Sequence, residues 1–281
     1  MTSNLTTEEL RREGICLLAP ALAQPQLDAE LLLAHALETH RARVRSHPEE
    51  RRSPHERDRY LELVERRRRG EPLAYLVGRK AFWSLELAVG PGVLVPRPET
   101  ELLVERALAL RPEAAGEAAD LGTGSGAIAL ALARERPGWR IAATDFSEEA
   151  LSVARRNASD LRIGNVELLA GDWFAPLAGR RFQLVLSNPP YIPGDDPALN
   201  SPPLKFEPSM ALEAGPDGLA HIRKIVREAP NHLQRGGWLL LEHGSTQAAD
   251  VARELVVRGL SHVRSHRDLA GHERMTEARW G

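Results

Sequence analysis

The sequence predicts an α/β fold in which a doubly wound, largely parallel sheet follows a small all-helical domain, with a β-hairpin between them. Apolar residues recur at helical spacing up to about residue 75. Beyond about residue 111, short apolar runs alternate with helical patterns, which is typical of parallel sheets. We therefore expect a helical domain over residues 1–77, a hairpin linker over 78–97 and a sheet domain over 98–281.

Composition and charge limit the classes of function. The chain has 281 residues, enough for a sizeable core, and its 37 basic and 39 acidic side chains nearly balance. No overall charge therefore draws it towards nucleic acid or membrane. A single cysteine, Cys16, excludes an internal disulfide and indicates a reducing compartment, and its apolar surroundings in sequence predict that it packs. Because the sequence shows no signal peptide and no membrane-spanning run, we expect a cytoplasmic protein, and we expect a monomer.

Three helices are predicted in the first domain, and the first and third are marked by their end signals. Thr6 and Glu9 form the capping-box pattern before the first helix. The second covers about residues 27–37 and has a wide apolar face. The third begins after Ser53 and ends near Gly70. Together they predict a small bundle.

The segment 41–80 is locally basic, with 13 Lys or Arg and 7 Asp or Glu, and it includes the run Arg66-Arg67-Arg68-Arg69. Such a segment could face a partner, either RNA or an acidic protein. Alternatively it is a solvated face, with arginines near a helix end where the helix dipole favours them. We favour the solvated face and leave the partner surface open.

A hairpin and a helix are predicted between the two domains. Two short strands, residues 82–89 and 93–95, lie on either side of Gly90-Pro91-Gly92. A helix then begins at Arg97-Pro98-Glu99-Thr100, where the proline suits the first turn. Arg97 either shapes a pocket wall or only closes this junction, and the sequence does not choose between the two.

The sheet domain is predicted from alternating strands and helices. The expected strands are residues 118–121, 139–144, 166–169, 182–187 and 237–242, followed by two closing strands, the last at 275–280. The expected helices include 127–134, one capped by Ser147, 219–233 and one more near the C-terminus. Residues 192–217 are rich in proline and lack periodicity. A loop of that length is usually functional, so we expect a lid over the acceptor pocket.

A cofactor site is predicted at the carboxyl ends of the first three strands of this sheet. The glycine-rich turn Gly122-Thr123-Gly124-Ser125-Gly126 follows the first strand and lets the backbone approach a ligand closely. Asp145 ends the second strand, where a carboxylate can accept hydrogen bonds from both ribose hydroxyls. Asp172 and Trp173 follow the third and can bond the adenine amino group and pack on its ring. Each acid alone is more typical of a cap or loop, but at successive strand ends they converge on one crevice.

The ligand that suits this crevice is a nucleoside with a short charged tail. A nicotinamide dinucleotide would use the same turn and carboxylate. However, no Tyr-x-x-x-Lys or comparable pair follows the strands, and the turn has no basic residue for a pyrophosphate. The pattern therefore favours S-adenosyl-L-methionine, which becomes S-adenosyl-L-homocysteine after methyl transfer. The chemistry requires no metal.

Asn188-Pro189-Pro190-Tyr191 follows the fourth strand, and we expect Asn188 to border the cofactor as well. An NH₂ group on an sp² carbon is a poor nucleophile because its lone pair is delocalised. The Asn188 side-chain oxygen and the Pro189 carbonyl can each accept one N–H and turn the lone pair towards a methyl donor. Pro189 and Pro190 fix the turn, and Tyr191 offers a flat face for a planar group. Alone, the four residues fit an ordinary proline turn equally well, and the neighbouring cofactor site favours a clamp.

Over nearly its whole length the chain resembles the HemK-type release-factor glutamine methyltransferases, which are Rossmann-like class I methyltransferases. The glycine turn, Asp145 and the Asn188 turn are shared with other amino-group methyltransferases. The more specific segments are Gly70-Glu71-Pro72-Leu73-Ala74-Tyr75, Phe82-Trp83, Val95-Pro96-Arg97-Pro98-Glu99-Thr100-Glu101, Asp172-Trp173-Phe174, Phe206-Glu207-Pro208 and Leu240-Leu241-Glu242-His243-Gly244. The Ala118-Ala119 opening of the first strand and the loosely patterned C-terminus depart from the family.

The resemblance implies methylation, at the side-chain nitrogen N5, of the glutamine in the Gly-Gly-Gln loop of bacterial class I peptide chain release factors. The ribose of S-adenosylmethionine would lie on Asp145, its adenine on Trp173 and its amino-acid tail along the glycine turn. Asn188 and the Pro189 carbonyl would hold the glutamine NH₂, with Tyr191 beside its plane. The helical domain would grip the release factor.

Two other classes of function remain open. An N-methyltransferase of exocyclic amino groups on RNA or DNA bases would need the same clamp. The near-neutral charge and the lack of a nucleic-acid module argue against it, so that nucleic acid is not the substrate we expect, although the basic segment argues for it. A binding protein that has lost turnover is disfavoured by the intact Asn188, Asp145 and glycine turn.

Overall fold

The computed structural model of the chain describes residues 5–281, which divide into two units. The first unit runs up to Arg79 and also includes Asn200–Phe206 from much later in the sequence. The second unit consists of Lys80–Leu199 and Glu207–Gly281. Each unit has its own hydrophobic core.

The first unit is helical. Its helices are α1 (Thr7–Leu18), α2 (Pro25–Ala36), α3 (Arg41–Ser46), α4 (Pro54–Arg68) and α5 (Leu73–Val77). The capping box predicted at Thr6 is present, and Ser53, after which the third helix was predicted to begin, forms one too, each with its glutamate three residues on. The sequence patterns did not predict α3 and α5, because helices of 6 and 5 residues are too short to show a periodic apolar face.

One face of α1 is buried, and Cys16 is not on it. Leu10, Gly14 and Leu18 recur every fourth residue and are buried. Cys16 lies on the opposite face and is exposed as a free thiol. The prediction that Cys16 packs in the core is therefore wrong, because the apolar stretch around it is divided between two faces of one helix.

The arginine run at the end of α4 is paired with acids of the same unit. Arg66 bonds Glu71, and Arg67 bonds Asp28 at 2.7 Å. Arg68 and Arg69 share Glu65 at 2.7 and 3.0 Å. These pairs offset the local positive charge, which supports the interpretation of this run as a solvated face.

The hairpin is displaced from its predicted position. It is formed by β1 (Arg79–Phe82) and β2 (Leu85–Ala88), and it turns at Trp83, whose φ is +54°. Residues 89–95 form no strand, so the prediction of a turn at Gly90-Pro91-Gly92 between two strands is wrong. The Asn157 side chain satisfies both the N–H and the carbonyl of Ala88, at 2.7 and 3.0 Å, where a longer strand would need a backbone partner.

The second unit is built on a seven-stranded sheet with the strand order β5-β4-β3-β6-β7-β9-β8. Its strands are β3 (Gly116–Leu121), β4 (Trp139–Asp145), β5 (Val166–Ala170), β6 (Phe182–Ser187), β7 (Leu233–Glu242), β8 (Ser261–Arg267) and β9 (Glu273–Arg279). The helices are α6 (Glu101–Leu110), α7 (Ala127–Glu135), α8 (Glu148–Asp160), α9 (Ala220–His232) and α10 (Ala248–Val257). The first five strands are parallel, and β9 runs antiparallel to both β7 and β8.

The two faces of this sheet bury separate apolar clusters, as expected when helices cover both faces. Ala118 and Ala119 of β3 belong to opposite clusters and are fully buried. The alanine-rich opening of this strand therefore occupies the centre of the sheet, between β4 and β6, where small side chains let the helices approach.

The long segment that follows β6 has ordered ends. Ile192 accepts a hydrogen bond from Ala214 at 2.8 Å and donates one to Leu212 at 2.9 Å. Pro202, near the tip of this segment, lies against Gly70 of the first unit. Gly70 has φ +98°, and a side chain at this position would collide with Pro202 at 2.4 Å. The segment is therefore a closed loop with its tip in the helical unit, and its role as a lid stays a prediction. Within residues 5–281, no helix is long and apolar enough to span a membrane.

Candidate active site

Four strand ends meet at one edge of the sheet. In register, Leu121 at the end of β3 pairs with Thr144 of β4 on one side and with Ser187 of β6 on the other. Thr144 in turn pairs with Leu169 of β5. The glycine turn, Asp145, Trp173 and Asn188 follow these strands, so the topology brings the predicted site residues to a single crevice.

The glycine turn between β3 and α7 has the backbone that only glycine adopts readily. Gly122, Gly124 and Gly126 have φ of +72°, +56° and +85°. The turn is tied down because Thr123 donates its hydroxyl to the buried Asp120 carboxylate at 2.6 Å. A side chain added at Gly124 would meet nothing within 4 Å, whereas one at Gly122 would meet the Trp173 ring at 3.1 Å. The turn is therefore fixed and open at Gly124.

Asp145 is held by the backbone on both sides. Its Oδ2 accepts the N–H of Gly124 at 2.8 Å, and its Oδ1 accepts the N–H of Ser147 at 2.9 Å. Burial raises the pKa of this carboxyl above its ordinary value, and the backbone hydrogen bonds oppose that rise. A carboxylate offers about four lone-pair sites, so the backbone hydrogen bonds leave acceptor capacity for a ligand.

Trp173 and Asp172 occupy the end of the crevice beyond β5. Trp173 adopts φ +50°, and its carbonyl accepts the Thr144 hydroxyl at 2.9 Å. Its ring lies against Gly122 and 5.4 Å from the His221 ring. Asp172 forms an ion pair through its Oδ2 with Lys224. The predicted bond from Asp172 to adenine would therefore have to use a carboxylate that already has a cationic partner.

Phe146 is a further candidate residue for the site, which the sequence reasoning missed. It directly follows Asp145 and leaves 68% of its surface exposed, although most large apolar side chains of this unit are buried. An exposed aromatic ring beside a carboxylate suits a planar heterocycle attached to a ribose. The available signal was its place next to Asp145, and it was overlooked because Trp173 already provided an aromatic face.

The Asn188 amide is oriented by Thr100. Its Nδ2 donates to the Thr100 hydroxyl at 3.1 Å, which directs the Oδ1 atom away from that contact. Within residues 5–281, neither Asn188 Oδ1 nor the Pro189 carbonyl accepts a hydrogen bond. Both groups therefore keep acceptor capacity, and their role in holding an NH₂ group stays a prediction.

Tyr191 lies against a buried acid. Its hydroxyl is 3.5 Å from Oε1 of Glu242, at the end of β7, and its carbonyl accepts the Gln247 side chain at 3.0 Å. Glu242 is 1% exposed, and burial raises its pKa to about 7. Burial and the same carboxyl also raise the pKa of the Tyr191 hydroxyl, so Tyr191 is a neutral phenol in this site.

Arg97 reaches the end of the long loop. It forms an ion pair with Glu207, whose side chain is fully buried and also accepts the N–H of Val95 at 3.0 Å. Arg97 thus anchors Glu207, just after the loop tip, to the chain that leads into the Asn188–Thr100 contact. This contact was not among the two roles predicted for Arg97, and the choice between a pocket wall and a junction stays open.

The chemistry of these groups fits a nucleoside that carries a short polar tail. Asp145 can accept hydroxyl hydrogens, and Phe146 and Trp173 offer aromatic surfaces after the neighbouring strands β4 and β5. The opening at Gly124 lets a polar chain approach the backbone. S-adenosylmethionine has each of these parts.

Comparisons with known proteins agree along the whole chain. The family model described as PrmC N-terminal domain matches residues 9–78, and the one described as methyltransferase small domain matches residues 98–201. A release factor glutamine methyltransferase of Pseudomonas aeruginosa is 49% identical over 261 residues, which cover 93% of this chain and 95% of that protein. One of Escherichia coli is 45% identical over 269 residues, which cover 96% of this chain and 97% of that protein.

Solved structures support the fold. A methyltransferase from Pyrococcus furiosus has a TM-score of 0.55 at 23% identity, and the match covers 72% of this chain and 92% of that chain. A T. thermophilus 16S rRNA methyltransferase in complex with AdoMet and guanosine also has a TM-score of 0.55, at 19% identity. That match covers 72% of this chain and 50% of that chain. The prediction of a Rossmann-like class I methyltransferase sheet after a helical N-terminal domain is thereby confirmed.

Proposed function

We propose, from the premise that this chain belongs to the release factor glutamine methyltransferases, that the Asn188 turn holds the amide of the release factor glutamine. The premise rests on relatives up to 49% identical over 93% of the chain. The observation that carries the proposal is the pair of acceptors at the turn, Asn188 Oδ1 and the Pro189 carbonyl, beside the carboxylate and aromatic groups of the crevice.

The residues of the turn make the amide nitrogen reactive by position. Each acceptor takes one N–H of the glutamine NH₂, which favours a pyramidal nitrogen and aims its lone pair along one line. Pro189 and Pro190 fix the angles of the turn, and Tyr191 flanks the plane of the amide. S-adenosylmethionine, when bound, supplies an electrophilic methyl group on a positively charged sulfur.

The cofactor would be held by residues at three strand ends. Asp145 would accept the ribose hydroxyls, Trp173 and Phe146 would line the adenine, and Asp172 would border its amino group. The tail would follow the turn Gly122-Thr123-Gly124-Ser125-Gly126 towards Asn188. The contacts that support this assignment are those between Asp145 and Gly124 and between Trp173 and Gly122.

The substrate is the glutamine of the Gly-Gly-Gln loop of a bacterial class I release factor, and the product is its N5-methyl derivative. With labelled S-adenosylmethionine, purified release factor should accept one methyl group per chain. A release factor with Gln→Ala in that loop should accept none. Total RNA and DNA run as competing acceptors test the base methyltransferase, and label in nucleic acid with none in release factor would overturn the proposal.

Phe146→Ala should weaken S-adenosylmethionine binding about tenfold, because stacking on a base contributes roughly 1–3 kcal/mol. Calorimetric titration measures the dissociation constant directly. Val257→Ala is the matched control, since it also removes an exposed apolar side chain (80% exposed), at the end of α10. Equal affinities in both variants would show that the adenine lies elsewhere.

We further propose that the helical domain, predicted as residues 1–77, recognises the release factor, while the hairpin linker 78–97 joins it to the transferase domain 98–281. Deleting residues 1–75 should then weaken release factor binding at least tenfold and change S-adenosylmethionine affinity little. Equal loss of both affinities would indicate unfolding instead. The enzyme would act in the cytoplasm as a monomer, and a light-scattering mass near the 31.0 kDa of one chain tests the second point.

A further inference from the structure

A chain of side-chain contacts leads from the Asn188 amide to a buried carboxyl group. Asn188 Nδ2 donates to the Thr100 hydroxyl at 3.1 Å. Thr100 also neighbours the Glu242 carboxyl and lowers the pKa of that group, as a hydroxyl that can donate to the carboxylate would. Tyr191 reaches the same carboxyl through its hydroxyl. Glu242 thus contacts the two residues that support the ends of the acceptor turn.

Strand register explains why Glu242 is in this position. β6 and β7 are parallel neighbours, and Ser187 pairs with Leu241. The next residues, Asn188 and Glu242, therefore leave the sheet side by side. Glu242 is 1% exposed, and its Oε2 has no hydrogen-bond partner within the described part of the chain. A charged carboxyl in such a place is costly unless it is paired or hydrogen-bonded.

Counting hydrogens shows what the carboxylate does. The Thr100 hydroxyl has one hydrogen and can accept others through its lone pairs. When that hydrogen points to the Glu242 carboxylate, only acceptor sites face Asn188, so the amide must present Nδ2 to Thr100. The Oδ1 atom is then left for the substrate.

We propose that Glu242 is a positioning residue for methyl transfer, whose carboxylate orients Thr100 and thereby keeps Asn188 Oδ1 turned to the substrate amide. This inference rests on the proposed function of the Asn188 turn. Glu242 does not touch the reacting nitrogen, and it acts only through Thr100 and Tyr191.

Protonation of Glu242 removes this preferred orientation of the Thr100 hydroxyl and the Asn188 amide. A neutral carboxyl can donate to Thr100, and the Thr100 hydrogen is then free to point at Asn188 and favour the opposite amide orientation. Around Glu242, Arg274 of β9 and the Thr100 and Tyr191 hydroxyls favour the charged form of the carboxyl. Glu99, in the 3₁₀ turn Pro98–Thr100, disfavours it. Burial outweighs these and raises the pKa to about 7, so the switch falls in the neutral range.

The first test is Glu242→Gln, assayed for kcat and KM with release factor as acceptor. Wild-type kcat should rise with pH through the neutral range. In the variant, kcat should fall about tenfold to a hundredfold, because small misplacements of a positioning group can cost about 10²-fold. The loss of kcat at acidic pH, the acid limb of the pH profile, should disappear. KM for S-adenosylmethionine should stay within about twofold. An unchanged acid limb in the variant would overturn the proposal.

A matched pair of variants at Thr100 tests the Glu242–Thr100–Asn188 relay, which is the series of contacts that orients the Asn188 amide, without changing the charge. Thr100→Val keeps the shape of the side chain and removes the hydroxyl, and it should lower kcat as much as Glu242→Gln does. Thr100→Ser keeps the hydroxyl and should restore most of the activity. The double variant Glu242→Gln/Thr100→Val should be no slower than either single variant, because both break one unit. Additive losses would contradict the relay.

Thermal stability separates positioning from packing. The folded-state pKa of Glu242 is raised from 4.5 to about 7, so its contribution to stability is complete below the unfolded value and is lost as pH rises through the folded one. Glutamine has no proton to lose in this range. The Tm of Glu242→Gln relative to wild type should therefore increase from about pH 5 to pH 8, whereas at pH 8 the kcat of the variant should lie below that of wild type. A variant less stable than wild type throughout this range would indicate a packing role.

A final readout needs no methyl acceptor. In protein labelled with ¹⁵N-asparagine, the Asn188 side-chain NH₂ signals, assigned by their loss in Asn188→Ala, should titrate with Glu242 in wild type and not in Glu242→Gln. If this titration is seen but release factor is not methylated, the relay stands and the proposed substrate fails. If release factor is methylated and the Asn188 signals do not titrate, the relay fails alone.

Discussion

Asn188→Ala should lower kcat for release factor methylation by about a hundredfold to a thousandfold, the usual effect of removing one group that is aimed at the reacting centre. Alanine removes the Oδ1 acceptor and the Nδ2 contact with Thr100 together. The Pro189 carbonyl alone can hold one N–H, so the amide nitrogen keeps its planar, unreactive geometry. A labelled-methyl assay under saturating substrates measures the loss.

The affinity for S-adenosylmethionine should change by no more than a few-fold in this variant, because Asp145 and the aromatic residues remain. Asn231→Ala is the matched control, since Asn231 is an exposed asparagine of α9. Retained turnover in Asn188→Ala would contradict the mechanism in which Asn188 Oδ1 and the Pro189 carbonyl hold the glutamine NH₂. Loss of cofactor binding equal to the loss of turnover would instead assign Asn188 mainly to the cofactor site.

The architecture of the second unit could be predicted because its signals are local. Alternating strands and helices imply a parallel sheet, and the rules of such sheets put ligands at the strand carboxyl ends. Those rules bring the glycine turn, Asp145 and Asn188 to one crevice from the sequence alone. Trp173 was placed there by the same rule, although its contact with Gly122 depends on a backbone with φ +50° that no pattern reveals.

The relay behind Asn188 could not be predicted, because it depends on register between distant strands. Thr100 precedes α6, and Glu242 ends β7, 142 positions later in the sequence. Their meeting requires β7 beside β6 with Ser187 opposite Leu241. The sequence contained both segments as family-specific patterns without showing that they touch.

The hairpin and Cys16 show a second kind of limit. Gly-Pro-Gly is a strong turn signal, but a turn makes a hairpin only if the flanking chains find each other. Here Asn157 takes the backbone groups of Ala88 instead, and the hairpin turns earlier at Trp83. For Cys16, a mostly apolar stretch did not reveal which face of α1 would be buried. In both cases a tertiary contact decided what local patterns left undetermined.

Asp145→Ala should raise the dissociation constant for S-adenosylmethionine about a hundredfold or more, since hydrogen bonds to a charged acceptor contribute about 1.5–3 kcal/mol each and two ribose hydroxyls are involved. Calorimetric titration measures the constant, and kcat at saturating cofactor should fall less. Burial raises the pKa of Asp145, so wild-type affinity should begin to weaken at a higher pH on acidification than an ordinary aspartate would allow.

The structural part of this effect can be separated, because Asp145 also accepts the N–H groups of Gly124 and Ser147. Asp145→Asn keeps one acceptor oxygen, so it should hold the turn better than alanine and give an intermediate affinity. Glu148→Ala removes an exposed carboxylate three residues away and should leave the affinity unchanged. If Asp145→Ala binds S-adenosylmethionine like wild type, Asp145 does not hold the ribose, and its role is confined to fixing the glycine turn.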